Sequence, residues 1–248
     1  MDLKNKVTSM DDMRGAMIFE FFSPGIPIIL KNSGCEFIIF DMEHGGLSLE
    51  QFKTLSLISK AHQIAPLIRI PEVSYNYVAR ALDLGATGIM APMVNTPDDA
   101  LKIVQSSKYP PKGKRGAGFG FAHDNYINQD PLSYIEKANK SLVNIIQIES
   151  KKALENVKEI ASIDGVDCLW VGHFDLTNFL GIPGDFKSKL YLNAINEIVF
   201  AAKSNKKSLG IMVNNNKELE NYKKLGFNMI AVGTEMNILS RAISEMLV

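Results

Sequence analysis

At 248 residues the chain can bury a sizeable core, and parallel barrels of this length commonly fold as one unit, so a single domain over 1–248 is expected. Its 27 Lys plus Arg balance 27 Asp plus Glu, leaving no net field to hold a polyanion, which argues against nucleic acid as a partner. The opening MDLKNKVTSMDD lacks the apolar core of a secretion signal, and no run approaches the ~18 apolar residues of a membrane span, so a soluble cytoplasmic protein without a membrane partner is expected.

In chain order, apolar runs of strand length fall at 17–22 (MIFEFF), 37–42 (FIIFDM), 66–70 (PLIRI), 88–93 (GIMAPM), 143–150 (VNIIQIES), 168–175 (CLWVGHFD), 209–213 (LGIMV) and 228–234 (NMIAVGT). Helix-period segments such as LSLEQFKTLSLISKAHQ and KKALENVKEIASI lie between most of them. A glycine two or three residues before a strand recurs in KNSGCEFIIFDME, LDLGATGIMAP and KKLGFNMIAVGTE, where it closes one helix and lets the chain enter the next strand. Near-continuous apolar strands alternating with helices indicate an α/β fold with a parallel sheet buried on both faces, and eight units indicate a (β/α)8 TIM-type barrel. A doubly wound open sheet is the alternative. The rhythm breaks at 94–142, where one helix-like stretch is followed by YPPKGKRGAGFGFAHDNYINQDP, a Gly/Pro-rich loop too long to be a simple connection, and then by another helix. Cys35 and Cys168, each beside an apolar run and without CxxC spacing, read as buried free thiols.

In a barrel of this type the polar residues at carboxyl strand ends converge on the active site. They are Glu20, then Asp41, Glu43 and His44, then Arg69, Gln147 and Glu149, Asp175, Asn214 and Glu235. Glu149 and Asp175 each follow an apolar run, where an unpaired carboxylate near the barrel axis costs several kcal/mol. Two carboxylates with no cysteine and little histidine beside them suit a hard ion such as Mg²⁺ or Mn²⁺. The alternative is that Glu149 caps the helix starting at Lys151, or pairs with Lys151 or Lys152. Gln147 projects to the same strand face as Glu149 and is a substrate-binding candidate. Arg69 cannot shed its charge and needs either a substrate carboxylate or enolate, or a buried salt bridge to Asp41 or Glu43. His44, beside two glycines, is open to catalysis or to loop packing, whereas His62 and His123 read as surface residues.

The pieces FDMEHGGLS, PLIRIP, ALDLGATGIMAPMV, YPPKGKRGAGFG, QIESKKALENVKEIASIDGVDCLWVGHFDLTNFLGIPG and GFNMIAVGTE, in this order, resemble the HpcH/HpaI family of class II 2-keto-acid aldolases across nearly the full chain. The resemblance implies aldol cleavage or condensation of a 4-hydroxy-2-keto acid, giving pyruvate and an aldehyde through a metal-stabilised pyruvate enolate. It implies a divalent ion (Mg²⁺ or Mn²⁺, Co²⁺ as a further option) on Glu149 and Asp175, and no lysine Schiff base. Arg69 would face the keto oxygen, the backbone N–H groups of Phe174 and Asp175 and the Gln147 side chain would bind pyruvate, and His44 would shuttle protons. Asp41, or Asp83 reaching in from a neighbouring subunit, would orient His44. A homo-oligomer, a hexamer, is implied, with EMNILSRAISEMLV packing between subunits. One departure is Gly172-His173 where similar enzymes usually read Gly-Pro; His173 is open to a place beside the metal ligand Asp175 or to solvent. EFFSP and AGFGFAHDNY are also more aromatic than a site for long dicarboxylates requires. Two other functions stay open: an oxaloacetate decarboxylase of the same fold, and a non-catalytic sugar-acid binding protein. Keeping both His44 and Arg69 argues against the latter, because a ligand clamp needs no proton shuttle.

Overall fold

The computed structural model of the chain describes residues 2–247. Its strands are β1 (Met13–Ile18), β2 (Phe37–Asp41), β3 (Ala65–Arg69), β4 (Gly88–Ala91), β5 (Val143–Ile148), β6 (Cys168–Val171), β7 (Ser208–Val213) and β8 (Met229–Thr234). Its helices are α1 (Leu3–Ser9), α2 (Ile26–Asn32), α3 (Leu49–Ala61), α4 (Tyr75–Asp83), α5 (Pro97–Ser107), α6 (Pro131–Ser141), α7 (Lys151–Glu155), α8 (Val157–Ser162), α9 (His173–Phe179), α10 (Lys189–Ser204), α11 (Asn216–Leu225) and α12 (Glu235–Met246). All strand pairs are parallel, each strand pairs with the next, and β8 returns to β1, so the sheet closes into an eight-stranded barrel. That closure excludes the open doubly wound sheet.

The two-residue period of the strands divides the core into an inner and an outer layer. Met13, Met17, Phe37, Ile39, Leu67, Met90, Ile145, Trp170 and Met229 pack together inside the barrel. Ile18, Ile38, Phe40, Ile68, Ile89, Ile146 and Leu169 pack outward against the helices. The interior is filled by pairing large residues with none. A Cβ at Gly15 would lie 2.5 Å from the Phe37 ring, and the Trp170 indole occupies the space a side chain at Gly210 would need. Helix starts are set locally: Ser48 with Gln51 and Thr96 with Asp99 form reciprocal capping boxes at α3 and α5.

Two boundaries depart from the sequence expectation. The first strand is 13–18 rather than 17–22, because Met13 and Met17 supply the inward positions while Phe19 to Gly25 form the connection to α2. The sixth strand ends at Val171, so Asp175 sits in the first turn of α9 and not on a strand. The 94–142 stretch follows the expectation, with α5 before the long loop and α6 after it, and adds a short 3₁₀ turn at Ala122–Asp124. Within it the His123 side chain is only 4% exposed, packed edge-on to Tyr134 at 5.3 Å, so it is not a surface histidine. Cys35 and Cys168 are both buried and free. Among the described residues, no helix is long and apolar enough to cross a membrane.

Candidate active site

The apolar interior ends in a polar layer at the carboxyl end of the strands. Asp41 closes β2 and Arg69 closes β3, and the two are cross-strand partners in the register of the sheet. Arg69 Nε donates to Asp41 Oδ1 at 2.5 Å, and Nη1 lies 3.0 Å from Glu43 Oε2. The guanidinium stands 5.4 Å over the Phe19 ring, and its Nη2 is buried without a hydrogen-bond partner. The ion pairs weighed as an alternative for Arg69 therefore both exist, and they still leave one donor free.

Asp41 is fully buried and accepts from the backbone N–H of Glu43, His44 and Gly45 at 3.2, 2.8 and 3.0 Å. Those bonds fold the loop after β2 and carry the His44 ring to the rim, where its side chain is 58% exposed. The carboxylate near the imidazole is that of Glu43, whose Oε2 lies 3.9 Å from His44 Nε2. In one chain, then, Asp41 positions His44 through its backbone and does not contact its ring. Asp83 is elsewhere: it ends α4 at the amino-terminal face of the barrel and pairs with the buried Arg115 at 2.6 Å. Within a single chain it does not reach His44.

Glu149 follows β5 and is 1% exposed. Its Oε1 accepts from the Met93 N–H and its Oε2 from Gln147 Nε2, both at 2.6 Å. The capping alternative fails, because Ser150 caps α7 through Ala153 N–H and Lys151 and Lys152 are exposed. Burial, with Glu43 and Asp175 as further negative charges, pushes the Glu149 carboxyl up to about 7 despite the Met93 bond and Arg69. Burial also raises the Glu43 carboxyl, with Asp41 and Asp175 adding to the rise and Arg69 and His44 opposing it. Gln147 is buried beside Glu149 with its Oε1 unpartnered. Gly172 makes the approach of Glu149 possible: a Cβ there would lie 2.5 Å from Glu149 Oε2 and 2.7 Å from its Cβ.

Asp175 faces this cluster from the first turn of α9, where intrahelical bonding begins only with Leu176 N–H on Gly172 O at 2.8 Å. The N–H groups of Phe174 and Asp175 precede that bond and belong to the first turn, whose N–H groups have no intrahelical acceptor. His173 is buried, 8% exposed, with its ring 4.6 Å from that of Phe174 and 5.3 Å from Phe186. It does not point to solvent. Glu235 is used structurally, its Oε1 accepting from the N–H groups of Phe19, Glu20 and Phe21 at 2.8, 2.6 and 3.1 Å.

Several carboxylates thus share one guanidinium, a shortage of positive charge that fits a divalent cation. Among the described residues no three His, Cys, Asp or Glu side chains converge to hold a metal unaided. Glu149 and Asp175 would be two protein ligands, with the remaining positions open to water and substrate. Sequence reasoning missed the support from Met93, which adopts a left-handed φ of 51° to aim its N–H at Glu149. A backbone donor carries no residue signature. A cavity of about 850 Å³ at the other end of the barrel, lined by Lys60, Arg115, His123 and Tyr134 among others, contains none of these groups. The strand-end cluster is the candidate site, since catalysis in this architecture occurs at the carboxyl ends of strands.

Compared with known proteins, residues 22–242 match the family model described as HpcH/HpaI aldolase/citrate lyase. A hydroxypyruvate/pyruvate aldolase of Deinococcus radiodurans is 31% identical over 214 residues, 86% of this chain and 77% of that protein. A 4-hydroxy-2-oxo-heptane-1,7-dioate aldolase of Escherichia coli is 29% identical over 219 residues, 86% of this chain and 81% of that protein. The crystal structure of an HpcH/HpaI aldolase from Desulfitobacterium hafniense superposes with a TM-score of 0.95 at 26% identity, covering 100% of this chain and 95% of that one.

Proposed function

Because this chain belongs to the HpcH/HpaI aldolase/citrate lyase family, we propose that it is a divalent-metal-dependent carbon–carbon lyase acting on a 4-hydroxy-2-keto acid. Breaking the C3–C4 bond leaves pyruvate and an aldehyde, and the reverse condensation uses the same groups. The observation that carries this reading is the set of carboxylates, Asp41 and Glu149 buried and Glu43 and Asp175 half-buried, around a single arginine that keeps one unpaired donor. Glu149 and Asp175 would hold Mg²⁺, Mn²⁺ or Co²⁺, and the bound ion would supply Lewis-acid polarisation of the keto group.

The chain's own residues do the rest. Arg69 Nη2 offers a fixed hydrogen bond to the keto oxygen, where negative charge grows as the C3–C4 bond breaks, and Asp41 and Glu43 prevent the fork from turning away. The N–H groups of Phe174 and Asp175 take the pyruvate carboxylate, and Gln147 lies beside it. His44 Nε2 accepts the proton of the 4-hydroxyl on cleavage and returns one to the pyruvate methyl carbon, with Glu43 stabilising its protonated form. No lysine is needed for this electron flow.

Pyruvate alone tests the reading, since the enolate forms before any aldehyde enters. In deuterated water with Mg²⁺, the protein should exchange the methyl protons of pyruvate, seen as loss of the methyl NMR signal. Chelation by EDTA should stop exchange, Mn²⁺, Mg²⁺ or Co²⁺ should restore it, and borohydride with pyruvate should leave the enzyme active. His44→Ala should slow exchange by ~10²- to 10⁴-fold, the usual contribution of a general base. No exchange by the metal-loaded wild type, or a borohydride-trapped lysine adduct, would remove the proposal.

Gly172→Ala offers a check on geometry with little change in chemistry. Its methyl group would push Glu149 off its position, so exchange should fall by ~10²-fold while the circular dichroism spectrum stays native. A rate near wild type would mean that the placement of Glu149 is unimportant.

The same family reading includes a homo-oligomer, and α12 supports it. None of its described apolar side chains is buried: Met236 is 37%, Ile238, Leu239 and Ile243 are 43–48%, and Met246 is 87% exposed. An exposed apolar face of this kind marks an interaction surface, and a second copy of the chain is the partner this reading assigns to it. Sedimentation should show an assembly, expected to be a hexamer, that dissociates when Ile238, Leu239 and Ile243 are replaced by serine. A wild-type monomer would contradict this and would also exclude Asp83 as a group supplied to His44 by a neighbour.

A further inference from the structure

The amino-terminal face of the barrel concentrates positive charge that the strand-end chemistry does not use. A cavity of about 360 Å³ opens there, lined by α1, by the turn after α8 and by the residues that lead into β5, β6 and β7. Its charged lining residues are Lys4, Lys108, Lys112, Lys140, Lys206 and Lys207 against Asp164 and Asp167. The chain as a whole balances 27 basic with 27 acidic residues, so this excess is local. Two of the lysines are neutralised: Lys4 Nζ pairs with Asp167 Oδ1 and Lys140 Nζ with Glu136 Oε1, both at 2.5 Å. Among the described residues, Lys108, Lys112, Lys206 and Lys207 form no ion pair, and Asp164 is the one carboxylate of the lining left to oppose them.

The cavity is held in shape by bonds between these segments. Lys108 is 6% exposed and donates to the Asn139 carbonyl at 2.5 Å. Asn139 in turn accepts from the Tyr109 N–H at 2.8 Å and donates to the Tyr109 carbonyl at 3.1 Å, which fixes the chain on either side of that lysine. On the opposite wall Lys207 Nζ donates to the Ile163 carbonyl at 3.2 Å and Asn144 Nδ2 to the Gly165 carbonyl at 3.0 Å, bracing the turn after α8. A carbonyl satisfies a donor without cancelling its charge. Burial therefore pushes the Lys108 amine down to about 8, with Lys4 and Lys112 adding to the fall and Asp167 and Asp164 opposing it. Burial lowers the Lys207 amine too, again against Asp167 and Asp164. The two amines thus feel the same neighbouring charges, and both lack an anion.

We infer that this cavity is a binding site for a small anion carrying phosphoryl groups, held by Lys108, Lys112, Lys206 and Lys207. A phosphoryl group brings nearly two negative charges and three acceptor oxygens in a small volume, so it offsets several ammonium groups at once. A cleft lined mainly by one sign of charge also concentrates such an ion. The site lies at the face opposite Glu149 and Arg69 and does not depend on the reaction there. The test titrates the full chain, with Mg²⁺ present and at low ionic strength, with fructose 1,6-bisphosphate and separately with inorganic phosphate, followed by calorimetry. Saturable binding is expected. Lys112→Glu and Lys206→Glu, both at exposed positions, should each weaken it by about tenfold or more, the scale of one charge-assisted hydrogen bond. Lys108→Met, which sets an apolar side chain in a buried place, should weaken it as much. Lys217→Glu makes the same change of net charge on α11 at the carboxyl face and should leave the affinity within about twofold, because salt screens a distant charge. A bisphosphate bound at least tenfold more tightly than phosphate supports the site with a phosphorylated metabolite as its ligand, and equal affinities support it with free phosphate. Absence of saturable binding overturns the inference, as does undiminished binding in Lys112→Glu and Lys206→Glu. An equal loss in Lys217→Glu also overturns it, since general charge would then explain the binding.

Discussion

Glu149→Gln should abolish pyruvate methyl exchange while leaving the protein folded. Glutamine keeps the shape and an acceptor for the Met93 N–H, and it removes a carboxylate that burial already disfavours in its charged form. The apo protein should therefore melt no lower than wild type. What is lost is a ligand charge. Mn²⁺ binding, followed by the paramagnetic resonance of the free ion, should weaken by at least ~10²-fold, since even groups behind a metal ligand cost 10- to 100-fold. Exchange should fall by on the order of 10³-fold or more, because Lewis-acid stabilisation of a developing oxyanion amounts to several kcal/mol. Unchanged Mn²⁺ affinity in this variant would move the metal away from Glu149.

Arg69→Lys should damage both rate and stability, although it conserves charge. The guanidinium spans Asp41 through Nε and Glu43 through Nη1 and keeps Nη2 for the substrate, a three-way geometry that one ammonium cannot reproduce. Lysine would leave at least one buried carboxylate short of a partner, a loss on the scale of ~3–5 kcal/mol for a broken buried pair. Denaturant unfolding should show a lowered midpoint. Exchange measured well below that midpoint should still be down by ~10²- to 10³-fold, the cost of a missing oxyanion donor. The separation of the two readouts matters: a destabilised variant with wild-type exchange would make Arg69 a structural residue only.

The burial of Glu149 and Arg69 followed from a charged group set at the end of an apolar run, and both are indeed enclosed. Asp41 was legible as a strand-end acid, but its partners were not. Its carboxylate binds three backbone N–H groups and Arg69, whereas the acid beside the imidazole is Glu43. His173 and His123 both looked free to face solvent and are both packed against aromatic rings, Phe186 and Tyr134, that the chain folds back onto them from beyond their own local runs.

What the sequence determined by itself is the alternation of eight doubly buried strands with helices: eight apolar runs, helix-period segments between them and glycines at the helix ends are local signals, because backbone conformation and two-sided burial are written within each run of a few residues, whereas closed barrel against open sheet was decided only by the structure. Closure of β8 onto β1 then placed the ends of all the strands around one axis. Only that placement decided which carboxylates lack compensation, which arginine donor stays free and that the N–H of a left-handed Met93 reaches Glu149. Charge interaction and desolvation depend on distance in space across strands far apart in the chain, and no spacing along one chain encodes them.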